Sequence, residues 1–138
     1  MQAQGYAARY AEAQVKVVDR EQLLLLVLEG GMKFLRLSRE ALAGGDSVRF
    51  AEHLARAQAI ISELLGTLDH QAGGAIATNL ARLYEFMLFH LTEANASRSV
   101  RHVDEVIQVF GIIAASFREV LQGRTAVAAA AAPLATAV

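Results

Sequence analysis

Four stretches of the chain carry apolar residues at the three- and four-residue spacing of an amphipathic helix, and turn-forming residues separate them. The first opens at Asp19, an N-cap type with Gln22 three places on. It runs to Gly44-Gly45, where a left-handed residue ends a helix at little cost. Asp46 or Ser47 then caps a second helix to about Leu68, and "DHQAGG" reads as a loop. A third helix spans about Ala75–Ala96. Ser97 or Ser99 caps a fourth, which ends at Gly123. No alternating strand pattern appears. Four helices with short connections predict an all-α, antiparallel up-down four-helix bundle over 19–123. A short N-terminal arm, 1–18, precedes it, with Tyr6 and Tyr10 one helical turn apart. Residues 124–138 form a low-complexity, Ala-rich tail expected to be disordered.

Three helices have one apolar stripe each. The stripes are Phe50, Leu54, Ala57, Ile61, Leu64 and Leu68; then Ile76, Leu80, Leu83, Met87, Leu91 and Ala94; then Val103, Val106, Phe110, Ile113, Phe117 and Leu121. The first helix has two. Leu24, Leu28, Gly31, Leu35 and Leu42 form one; Leu23, Leu26, Gly30, Phe34, Leu37 and Ala41 form the other, about 180° away. A bundle covers one side of a helix, so the second stripe needs another cover: the arm, a second subunit, a partner or a shifted packing. Gly30 and Gly31 in the helix interior are tolerable where another element approaches closely. Phe89 and Ile112 also point away from their stripes. Surplus apolar surface of this kind suits a bound helical or extended peptide. The candidate peptide-binding residues are therefore Tyr6, Tyr10, Leu23, Leu26, Phe34, Leu37, Phe89 and Ile112.

Composition narrows the partner. The 138 residues are 54% hydrophobic, with 13 basic and 14 acidic side chains and no Cys. The apolar share exceeds what an ordinary core needs. The scattered charges form no basic stripe, which argues against nucleic acid. Thiolate and disulfide chemistry are excluded. The N-terminus lacks the apolar core of a signal peptide, and no apolar run reaches membrane-spanning length, so a cytoplasmic protein without stable membrane insertion is expected.

Chemistry finds no foothold. His53, His70, His90 and His102 lack helical pairing at three or four residues, and neither a metal motif, a phosphate loop nor a nucleophile motif is present. His102 and Asp104 open a helix, where capping is the simple reading. No catalytic, cofactor-binding or metal-binding residue is expected. One alternative is a histidine phosphotransfer bundle using His53 in "EHLARAQ", but His53 lies about 40° from Ala57 on the core stripe and should be half-buried.

The stretch "LDHQAGGAIATNLARLYEFM", residues 68–87, resembles the loop and third helix of the flagellin-specific export chaperones, the FliS family. "AIISELLGTLD" (59–69) and "EQLLLLVLEGG" (21–31) are similar to the family's second and first helices, and Tyr10, Gln14 and Val15 fit its N-terminal arm. The resemblance covers residues 10–121. It departs at Asp19-Arg20, where Ser-Pro is usual, and at Ala7, Phe89 and Phe117. The resemblance implies a non-enzymatic cytosolic chaperone without a cofactor. Its partner would be the C-terminal region of flagellin, masked against premature polymerisation and kept export-competent, with the flagellar export gate as a second point of contact.

Overall fold

The computed structural model describes residues 2–124, with side chains from 20 to 123. Four helices follow in order: α1 (Gln2–Ala43), α2 (Ser47–Gly66), α3 (His70–Ser97) and α4 (Val100–Arg124). Connections of two or three residues force each helix to reverse against the last. α1 packs on α2 and α4, and α3 packs on the same two, so the helices stand as four corners of a bundle. The core joins Leu28 and Leu35 of α1, Phe50, Leu54, Ile61 and Leu64 of α2, Tyr84, Met87 and Leu91 of α3, and Val103, Val106, Phe110 and Phe117 of α4.

The turns follow local chemistry. The Gly45 N–H donates to Leu42 O at 3.2 Å and the Asp46 N–H to Ala41 O at 2.9 Å, while Gly45 takes φ +76°. This is the Schellman ending that the paired glycines predict. The Asp46 carboxylate accepts from the Arg49 N–H and caps α2; the Asp69 carboxylate accepts from the Ala72 N–H and caps α3. The Ser99 hydroxyl accepts from the His102 N–H at 3.4 Å in the first turn of α4.

Several expectations change. α1 runs unbroken through Asp19, so Asp19 does not start a helix, and residues 2–18 continue α1. A straight helix cannot fold back on its own side, so in this conformation that segment cannot cover the second stripe of α1. α3 begins at His70, not 75, because Asp69 caps it; the expected loop survives as a break at Gly74, with φ 51° and ψ −123°. On α3, Leu83 is 39% exposed and Tyr84 takes its place in the core. Leu80, Met87, Leu91 and Ala94 of the stripe are buried as read, so the exchange is local. The tail at 125–138 lies outside the described residues, as do the side chains of Tyr6 and Tyr10.

The second stripe of α1 divides in two. Phe34 and Ala41 pack half-buried against the core, and Leu37 is half-buried too. Phe34 stacks on His53 with ring centroids 6.2 Å apart, under the Arg56 guanidinium at 5.4 Å. Leu23 and Leu26 stay 55% and 60% exposed. The cause is facing: Leu23 and Leu26 stand on the side of α1 away from Leu24, Leu28 and Leu35, which meet the core. Gly31 lies near Ile60 and Phe34 near His53, a register that brings the end of α2 at Gly66 roughly level with Leu23. Leu26 is thus level with the last turns of α2 and is exposed by its facing, not by the end of α2.

α4 needs one correction. No consecutive apolar run is long, yet over Val100–Gly123 the helix is long and apolar enough to cross a membrane by length and composition alone. Here Val103, Val106, Phe110, Ile113 and Phe117 face the core. The same test is passed by core helices of bundles.

Candidate functional site

Apart from Val48 at the start of α2, the large exposed apolar side chains among the described residues fall into two groups. On α1, Leu23, Leu26 and Val27 lie outside the stripe that meets the core. Leu26 also borders a cavity of about 510 Å³ between α1 and α4, with Leu25, Glu29, Arg118 and Leu121. Leu37 borders a neighbouring cavity of about 430 Å³, with Met32, Lys33, Arg36, Gly111 and Ala114. Glu29 and Arg118 belong to both, and their side chains meet at 3.3 Å.

The second group lies on α3 and α4. The His90 Nε2 meets Glu105 Oε2 at 2.8 Å, and Arg101 Nε donates to Glu105 Oε1 at 3.1 Å. The hydrogen bond from His90, with the Arg101 guanidinium, holds the Glu105 carboxyl below its ordinary range against a smaller opposing effect of burial. Two turns from this pair along each helix, Leu83 and Ile112 come level on the same seam. Ile112 is 61% exposed. Phe86 sits between, its ring 4.1 Å from that of His90. Phe89, 64% exposed, stands one turn from Phe86 on the outer side of α3.

Thus Leu23, Leu26, Phe89 and Ile112 are exposed as expected, Phe34 and Leu37 are partly covered, and Tyr6 and Tyr10 are not described. The fold does not bring the six described residues into one patch. α1 and α3 occupy opposite corners, and α4 links them. Sequence reading missed Val27, Leu83 and Phe86. Leu83 was assigned to the core, and Phe86 was hidden by its place inside a dense apolar run.

Chemistry remains sparse. His53 is half-buried against Phe34, and its Nδ1 finds no partner among the described residues. A phosphoacceptor imidazole must be open to a donor, so this position suits packing. Asp104 does not cap α4; it pairs with Arg39 at 2.6 Å across the seam to α1. His90 and His102, twelve residues apart, have ring centroids at 5.3 Å, a tertiary approach that no helical spacing announces. Among the described residues no three His, Cys, Asp or Glu side chains gather as a metal would require.

Relatives give this surface a context. The flagellar secretion chaperone FliSB of Pseudomonas aeruginosa is 37% identical over 95 residues, covering 69% of this chain and 75% of the relative. The flagellar secretion chaperone FliS of Salmonella typhimurium is 32% identical over 117 residues, covering 84% and 87%. FliS of Bacillus subtilis is 29% identical over 106 residues, covering 77% and 78%. The family model described as flagellar protein FliS matches residues 2–124, the whole of the four-helix bundle. The chain therefore belongs to the FliS family of flagellar secretion chaperones.

Proposed function

We propose that this chain is a cytosolic, non-enzymatic chaperone that binds the disordered C-terminal segment of flagellin, blocks its premature polymerisation and keeps it ready for export. The observation that carries the reading is the apolar surface left open at Leu23, Leu26, Val27, Leu83, Phe86, Phe89 and Ile112 in a member of this family. A segment that orders on binding loses conformational entropy and needs a broad apolar surface to offset that loss. Two separated patches joined by the α1–α4 seam suit a segment that wraps the bundle better than a single compact ligand. The first 18 residues serve as the arm that meets the client, with Tyr6 and Tyr10 as its aromatic contacts. The export gate is the site of release. Near-neutral charge gives neither nucleic acid nor a bilayer surface an electrostatic hold.

Co-purification with the host's flagellin tests the reading. Intact flagellin should be retained and flagellin lacking its C-terminal segment should not. Equal retention of both would refute it.

A further inference from the structure

Two ion pairs brace α1 to α4: Glu29 with Arg118, and Arg39 with Asp104. The 430 Å³ cavity lies between the braces and the 510 Å³ cavity beyond the first. Gly111 keeps the first cavity open. A Cβ there would stand 3.2 Å from Met32 Cε, so any longer side chain would fill the floor.

The two cavities differ in charge. The first is rimmed by Glu29, Arg118, Lys33 and Arg36. Glu29 and Arg118 neutralise each other. Lys33 and Arg36 are exposed, and neither forms an ion pair among the described residues. The second cavity offers Gln22 and Gln122 beside the shared Glu29–Arg118 brace, so it has no net charge. The groove therefore has an uncharged apolar end and an apolar end flanked by two cations.

We propose that this seam holds one amphipathic helix of the client, with an apolar side chain in each cavity and an Asp or Glu side chain facing Lys33 and Arg36. Unneutralised cations beside an apolar socket favour a carboxylate next to the inserted side chain, and this complementarity selects which helix docks. Leu25 in one cavity and Met32 in the other are two turns apart, about 10 Å along α1. The client's anchors should then stand seven residues apart. The assignment rests on the reading that the client is the C-terminal segment of flagellin. Apolar burial supplies most of the affinity, so two rim charges fix register and leave the overall salt dependence weak.

Isothermal titration of the full chain with a synthetic peptide of the host flagellin's C-terminal segment tests it, alongside the same peptide with each Asp and Glu replaced by Gln. The double variant Lys33→Glu/Arg36→Glu should bind the native peptide about tenfold more weakly. The Gln peptide should bind the parent chain weakly and ignore the double substitution. Gly111→Leu should also weaken the native peptide, while thermal unfolding verifies that each variant folds. The double variant changes only exposed side chains and keeps the test alive if Gly111→Leu unfolds. Native-peptide binding that ignores the double variant would overturn the groove assignment. So would equal weakening of both peptides, or a parent chain that sediments as a dimer and a double variant that does not, which would give the groove to a second copy. If neither peptide binds the parent chain, the flagellin reading falls and the groove assignment with it.

Discussion

Gly30 and Gly31 are adjacent in α1 and meet different surroundings. A Cβ on Gly31 would lie 2.6 Å from Phe110 Cζ and 3.2 Å from Ile60 Cγ2, whereas one on Gly30 would meet nothing within 4 Å. Gly31→Ala should therefore destabilise the fold by about 1–3 kcal/mol through overpacking. Gly30→Ala should stabilise it by roughly 0.5–1 kcal/mol by raising helix propensity. Urea midpoints of the two variants check both signs. Sequence reading asked what approaches these glycines; the answer is the ring of Phe110, at one of the two only. Tyr84 offers a second test at this scale. Its hydroxyl is buried without a partner among the described residues, and burial raises its pKa to about 12. Between pH 10 and 12 the unfolded chain loses this proton and the native chain keeps it. The native state then binds more protons, and stability falls as pH rises. Tyr84→Phe should remove about 2–3 kcal/mol of that alkaline loss, read as a shallower fall in stability from pH 9 to 12. At neutral pH the same substitution should be nearly neutral, because no hydrogen bond is lost.

Among the helices, the ends that glycine and aspartate determine were readable and those set by packing were not. Gly44-Gly45 and Asp46 stand where their chemistry places them. Asp69, just past the expected end of helix two at Leu68, was taken for part of a loop although its carboxylate caps α3. The reason is Gly74. Its φ of 51° with ψ −123° breaks the helical path five residues later, so the periodicity resumes only from about 75. Gly74→Ala should cost on the order of 1–3 kcal/mol, because a side chain is strained in that backbone region. Asp69→Ala should cost about 0.5–2 kcal/mol as a lost cap. Chemical denaturation measures both, and an unchanged Gly74→Ala would contradict the break. α1 hid its extent in another way. A good N-cap residue at Asp19 suggested a start, but a cap acts only where the preceding backbone leaves the helix, and here it does not. The exposure at Leu23 and Leu26 did not depend on that start, because it follows from their place on the outward stripe.

For the whole molecule, the bundle and most of its core were legible because three stripes were clean, whereas the site was legible only as a surplus. Periodicity tells which residues leave the core and not which of them meet. Phe34, read on the outward stripe, found cover on His53, while Leu83, read on a core stripe, turned outward. The outward positions on α3 and α4 make a test free of folding effects. Phe89→Arg and Ile112→Asp should shift the melting temperature by only a few degrees, since surface changes stay within about 0.5 kcal/mol. At least one should weaken flagellin binding. If both bind like the parent, the α3–α4 patch is not part of the client surface. The central claim is that one chain holds one flagellin through its C-terminal segment by apolar burial, and calorimetric titration of the full chain with the host's flagellin, intact and lacking that segment, tests it most directly. The account predicts one-to-one binding to intact flagellin, with a negative heat-capacity change, little loss between low and moderate salt, and no binding to the truncated form. Equal affinity for the two forms, or a steep loss of binding with salt, would contradict it.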